Sequence, residues 1–222
     1  MTTVALFDFD RTIYKHETYT LLMRFLQSHE VYGKRYKKFM RRLMPVYLLY
    51  KMNMTPEKTM RKKAMEIYLK TFEGSSEQEL RAYFREMAEE MAGDFNMEVI
   101  ERLHWHHEQG HRILVISGAF DVMLDEVLKD LPVDSKLGTQ VPFRDGHLLK
   151  VTELSHVHEK QKLVRIEEDL QGVEVNWKES FAYGDSIYDI DVLGLVGHPV
   201  AVQPDKELKS YAYEQGWEII EA

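Results

Sequence analysis

The chain has 222 residues, 44% of them hydrophobic and 30% charged, with six prolines and twelve glycines, a balance that fits one or two folded domains and excludes disordered and fibrous classes. A formal net charge of -8 argues against nucleic-acid binding by the molecule as a whole, and zero cysteines removes disulfides, thiolate metal sites and cysteine nucleophiles. No stretch approaches the roughly 20 apolar residues of a membrane span, and the opening Met1, Thr2 and Thr3 lead into a strand pattern without a charged leader, so a cytoplasmic location is expected.

Residues 4–9, apolar but for Asp8, read as a short strand of the kind buried on both faces of a parallel sheet. The run meets Asp8 and Asp10, with Arg11 and Thr12 directly behind. Residues 16–94 then show no strand pattern. Their apolar residues recur at helical spacing, as in Leu80, Tyr83, Phe84, Met87, Ala88 and Met91. This segment is expected to be a helical cap domain inserted into a discontinuous core of residues 1–15 and 95–222. Pro56 and Gly74 mark turns, with Thr55 and Ser76 as N-cap candidates. Residues 31–53 carry seven Lys or Arg, no acid and several aromatics. The simplest reading is a cap helix with a packed aromatic face and a solvated basic face; attraction of phosphorylated substrates, a membrane surface or nucleic acid are the other readings.

Beyond the insertion the pattern alternates. Helices are expected at 97–109, 122–131 and 160–170, strands at 111–118, 180–186 and 198–202, and an edge strand at 217–221. Asp145-Gly146 marks a hairpin, because that pair suits positive φ. Alternation of this kind predicts an α/β fold: a three-layer, Rossmann-like parallel sheet core. His104, His107 and His111 fall at spacings of three and four, which suits a metal, but Gly110 ends the helix before His111 and nothing else converges there; a structural role is expected. The methionines of the cap read as core filling.

Open α/β sheets carry their ligands at the carboxyl ends of the strands. There the sequence places Asp8 and Asp10, then Ser117 and Gly118, then Gly184, Asp185 and Ser186, with Asp189 following. Asp8 and Asp10, two residues apart, project to the same side of an extended chain. Crowded carboxylates repel unless a cation or a proton intervenes. An oxygen-only set suits Mg²⁺ rather than zinc. Asp8 then becomes a candidate nucleophile and Asp10 a candidate general acid and base. Taken alone, Asp8-Phe9-Asp10 also suits a solvated strand end, a metal-dependent glycosyltransferase or a phospho-acceptor receiver domain.

In order along the chain, "DFDRT", Ser117 in "VISGAF", a lysine and "GDSIYD" resemble the four motifs of the haloacid dehalogenase superfamily of phosphohydrolases. With a helical insertion between the first two motifs and with "SGAFD", the chain looks like the phosphoserine phosphatase-like branch. The resemblance implies that Asp8 attacks phosphorus to form an aspartyl-phosphate while Asp10 serves the leaving oxygen and then water. It implies Mg²⁺ held by Asp8, the Asp10 main-chain carbonyl and Asp185, with Asp189 as an outer ligand or orienting partner. Ser117, the Gly118 amide and a lysine would hold phosphate oxygens; Lys160 and Lys162 both qualify, and Lys162 is preferred from its distance to "GDS". Glu17 in "HET" is implied to contact a substrate amine or hydroxyl, and Arg61 or Lys63 in "TMRKKAMEIYL" a substrate carboxylate. Thr12 is expected to stabilise the loop through its hydroxyl, and Arg11 to face the cap or support that loop. The insertion is longer than in compact phosphoserine phosphatases and lacks their phenylalanine, so the partner is set at a small phosphorylated metabolite, with phosphoserine one option. Phosphotransfer from the same intermediate and non-catalytic phosphate binding are the alternatives; retention of Asp10 and of the acidic set speaks against the second.

Overall fold

The computed structural model describes residues 1–151, 153–157 and 160–221. All four residues of β1 (Val4–Phe7) are completely buried, as a strand covered on both faces must be. The remaining strands are β2 (Arg112–Phe120), β3 (Ser135–Thr139), β4 (Phe143–Arg144), β5 (His147–Leu148), β6 (Phe181–Gly184), β7 (His198–Val202) and β8 (Glu218–Ile220). Six of them form one parallel sheet in the order β3-β2-β1-β6-β7-β8. The order reverses direction beside β1, which is where such a sheet opens a crevice.

Strand periodicity sorts the core into two layers. Ala5 and Phe7 of β1, with Ile113 and Val115 of β2, face one apolar cluster; Val4, Leu6, Leu114 and Ile116 face the other. On the first face lie the inserted helices α1 (Thr18–Ser28), α2 (Gly33–Lys51), α3 (Glu57–Leu69) and α4 (Glu77–Met91), followed by α5 (Met97–Glu108) and α6 (Asp121–Val127). On the second lie α7 (Lys160–Asp169), α8 (Ile190–Leu193) and α9 (Lys206–Gln215), through Ile166, Val192, Leu193, Leu208 and Ala212. The result is the three-layer α/β fold that the alternation predicts. No helix of the described residues is long and apolar enough to cross a membrane.

The inserted helices bury an aromatic centre. The Tyr83 ring lies 4.9 Å from that of Phe72 and 5.0 Å from those of Phe25 and His29, and its hydroxyl shares a 2.6 Å hydrogen bond with that of Tyr68. Ring pairs of this kind add about 0.5–1.5 kcal/mol each to the area they bury. Phe84 lies 6.1 Å from Phe120 of β2, so one apolar cluster runs from the sheet into the insertion. At the start of α4, Ser76 forms a capping box with Glu79, as its sequence position predicts.

Three local expectations need correction. The N-cap of α3 is Pro56 and not Thr55, with no side-chain cap bond; proline's φ of -60° sets the start where a hydroxyl was expected. The strand predicted at 111–118 runs on to Phe120, past a bulge between Ile116 and Phe120. β3 has no counterpart among the expected strands. Asp145 and Gly146, with φ of 50° and 73°, turn the antiparallel β4–β5 hairpin, as the pair predicts. That hairpin docks on the start of α4, where the Leu148 amide donates to the Ser75 carbonyl at 3.1 Å.

Candidate active site

Asp8 directly follows β1, and its amide still donates to the Tyr183 carbonyl of β6 at 2.9 Å, so two central strands fix its backbone. Asp185 follows β6, and Asp189 closes the short turn Ile187–Asp189. A carboxylate oxygen from each of Asp8, Asp185 and Asp189 lies within 4.8 Å of the others. Gly184 makes this arrangement sterically feasible, because a Cβ there would stand 2.9 Å from the Asp189 Cβ. Lys162, buried on the first turns of α7, donates to Asp8 Oδ1 at 2.5 Å and to Asp189 Oδ1 at 2.6 Å.

The electrostatics of the cluster follow from its burial. Desolvation pushes the Asp8 carboxyl well above the ordinary carboxylate range; Lys162 pulls it back, and Asp189 and Asp185 add repulsion. Asp185 is pushed up to about 7 by burial and by Asp189, against the pull of Arg11, whose Nε lies 3.4 Å from Asp185 Oδ2. One lysine and one half-exposed arginine leave the three acids short of positive charge. The donors are all hard oxygens, so the set fits a Mg²⁺-like cation.

The carboxylate of Asp10 stands outside that cluster. Its Oδ1 accepts the Thr18 amide at 3.0 Å and its Oδ2 the Thr18 hydroxyl at 2.8 Å, so Asp10 caps the N-terminus of α1 from across the loop. Burial nevertheless outweighs these two bonds and pushes Asp10 up to about 6. The loop between them is tight: Arg11 adopts a φ of 58°, and the Tyr14 amide donates to the Phe9 carbonyl at 2.9 Å. Thr12 does not act as expected. Its Oγ1 is buried without a partner among the described residues, and its main-chain amide, donating to the Phe9 carbonyl at 3.3 Å, makes the loop bond instead.

Ser117 is buried in the bulge of β2, where its Oγ accepts the Ala119 amide at 3.1 Å, and the Gly118 carbonyl accepts the Thr139 hydroxyl at 2.8 Å. Between the insertion and the loop, Arg61 donates to Glu17 Oε2 at 3.1 Å and to Glu57 Oε1 at 2.9 Å, with its guanidinium 5.7 Å from the centre of the Tyr19 ring. Lys63 turns elsewhere, onto Glu66 at 2.9 Å, and Lys160 is exposed. A cavity of about 490 Å³ opens beside Arg11, His16, Glu17 and Arg24.

Two residues of this neighbourhood escaped the sequence reading. Thr18 holds Asp10, and Asp205 accepts the Ile187 amide at 3.0 Å while also capping α9, tying the loop after β6 to the end of β7. The Pro204-Asp205 start of a helix is the signal that could have found the second. The histidine run behaves structurally, although through a different member: fully buried His106 shares hydrogen bonds with His111 at 2.8 Å and with the Tyr183 hydroxyl at 2.9 Å.

Comparison with known proteins places this geometry. The sequence model of haloacid dehalogenase-like hydrolases matches residues 5–194. A phosphoserine phosphatase of Mycobacterium tuberculosis is 30% identical over 99% of this chain and 70% of its own length, and a histidinol-phosphatase of Neisseria meningitidis is 30% identical over 65% of this chain and 68% of its own. Among solved structures, a Bordetella pertussis protein of unknown function superposes with a TM-score of 0.81 at 20% identity, covering 100% of this chain and 99% of that one. A substrate-bound phosphoserine phosphatase shares the fold, with a TM-score of 0.62 at 16% identity over 100% of this chain and 94% of its own. The chain therefore belongs to the haloacid dehalogenase-like hydrolase family, as an enzyme of its phosphoserine phosphatase-like branch.

Proposed function

We propose that the protein is a Mg²⁺-dependent phosphomonoester hydrolase that works through an aspartyl-phosphate on Asp8 and acts on a small cytoplasmic metabolite. The observation that carries this reading is that Lys162 bridges Asp8 and Asp189 while carboxylate oxygens of Asp8, Asp185 and Asp189 lie within 4.8 Å of one another, at the carboxyl ends of neighbouring parallel strands. Asp8, Asp185 and the Asp10 main-chain carbonyl, with Asp189 beside them, would hold Mg²⁺, which supplies positive charge against the phosphate oxygens.

The chain's own groups divide the chemistry. A carboxylate oxygen of Asp8 attacks phosphorus in line, the bond from phosphorus to the ester oxygen breaks, and the Asp10 carboxyl gives its proton to that oxygen. Asp10, now ionised, takes a proton from the water that attacks phosphorus and releases phosphate from Asp8. A pKa near 6 lets one group serve both directions close to neutrality. Lys162, the Ser117 hydroxyl and the Gly118 amide bind the remaining oxygens of the transferring group.

Substrate selection falls to the inserted segment 16–94, acting as a cap over the core formed by 1–15 and 95–222. Glu17, which lines the cavity, forms an oppositely charged pair with Arg61, and the pair suits a leaving group carrying both an amine and a carboxylate. Phosphoserine has that form, and the relationship to phosphoserine phosphatases supports it. The test is hydrolysis of a generic aryl phosphate, required to depend on Mg²⁺ and to vanish in Asp8→Asn, followed by a comparison of phosphoserine with phosphoethanolamine and sugar phosphates. Full activity in Asp8→Asn would remove the reading.

A further inference from the structure

Helix α2 presents one solvated face whose chemistry changes along its length. Phe39 and Leu43 are buried, and Tyr36, Met40, Val46 and Tyr50 pack against the core beside them, so the opposite face is fixed towards solvent. On its first half that face carries Lys34, Lys37, Lys38, Arg41 and Arg42, all exposed. Among the described residues none of these five has an acidic partner. On its second half the same face carries Met44, Leu48 and Leu49, and it runs into Met52 and Met54; these last two are each 66% exposed and Leu48 is 52% exposed.

We propose that this face docks on the surface of an anionic lipid bilayer, with the aliphatic end inserted and the cationic band at the headgroups. The charge argues for an anionic occupant: residues 31–53 hold seven Lys or Arg and no acid in a chain of net charge -8. The geometry argues for a layered one. Arg42 and Leu49 are seven positions apart, about 10 Å along a helix rising 1.5 Å per residue, which matches the depth over which a bilayer passes from headgroup to acyl chain. Lys51, within cation–π distance of Tyr47 and Tyr50, has the long stem needed to reach back to the headgroups.

Other occupants fit less well. Single-stranded nucleic acid is held by exposed aromatic platforms, whereas this end is aliphatic apart from Tyr47. A second copy meeting the same face across a two-fold axis would bring the cationic bands together.

The experiment is flotation of the full chain with vesicles of phosphatidylcholine alone or with about one-third phosphatidylglycerol. The expected result is binding to the anionic vesicles only, weakened by salt. It should fall at least about tenfold in Leu48→Glu/Leu49→Glu and likewise in Lys37→Glu/Lys38→Glu/Arg41→Glu. Both variants should retain the wild-type melting temperature and aryl phosphate hydrolysis in solution. Three results would overturn the proposal: no flotation with anionic vesicles at low salt, undiminished flotation of the Leu48→Glu/Leu49→Glu variant, or tighter binding to a single-stranded oligonucleotide than to vesicles. A dimer that dissociates on Leu48→Glu/Leu49→Glu while ignoring vesicles would overturn it equally.

Discussion

The Nζ of Lys162 lies 2.5 Å from Asp8 Oδ1 although 154 positions separate the two residues, and the same atom reaches Asp189 at 2.6 Å. Burial alone would lower the lysine pKa, but Asp189 and Asp8 outweigh it and raise the group above its ordinary value. Lys162 is thus a fixed cation across the neutral range. Lys162→Met should lower kcat on an aryl phosphate by roughly 10²–10³, the usual cost of one preorganised electrostatic contact, whereas Lys160→Met should leave it unchanged. Steady-state kinetics of the two variants check this, and equal losses would break the assignment.

A crowded acidic set that lacks positive charge should bind its cation mainly in the folded state. Mg²⁺ at a hundredfold excess over its Kd should then add about 2.7 kcal/mol, or roughly 5–10 °C in Tm for a chain of this size. Thermal unfolding with and without Mg²⁺ measures the shift. Asp185→Asn should abolish most of it, while Glu17→Gln should leave it intact.

Glu17 and Arg61, 44 positions apart, neutralise each other through a 3.1 Å hydrogen bond. Glu17→Gln and Arg61→Gln should therefore change the ranking of phosphorylated metabolites more than they change turnover of an aryl phosphate. A substrate panel on each variant reads this directly; an unaltered ranking would move selection to other residues.

His106 is fully buried, and burial, with help from His111 and Arg102, lowers its pKa to about 3. In the unfolded chain a histidine titrates near 6.5. Below that pH the unfolded state binds the extra proton and the folded state does not, so this contribution to stability is complete above about 6.5 and declines as the pH falls towards 3. The Tm of the wild type should drop across that window with a steeper slope than that of His106→Gln. Parallel slopes would show that His106 is not the linked group.

The core was legible where local pattern and tertiary role coincide. Val4 to Phe7 are apolar because both faces are covered, and the acids that follow mark the strand end within the same short stretch. β3 was not legible: Ser135–Thr139 includes a serine, a lysine and a glycine, and pairing with β2 rather than composition makes it a strand. The site divides similarly. Asp8, Asp185 and Asp189 announce themselves by motif, and the distance to "GDS" already favours Lys162 over Lys160; that Lys162 is the buried one depends on which side α7 turns to the sheet. The Thr18 bonds to Asp10 and the exposed aliphatic end of α2 arise from packing between segments, which spacing along one segment does not encode.

The most direct measurement of the central claim is chemical trapping on residue 8. Borohydride reduces an acyl phosphate on aspartate to homoserine, so the enzyme would be quenched with borohydride during turnover of a phosphate ester and mapped by peptide mass spectrometry. The account predicts homoserine at position 8, dependent on substrate and absent in protein that has not been given the ester. Steady turnover with Asp8 unmodified, or reduction at a different carboxylate, would contradict it.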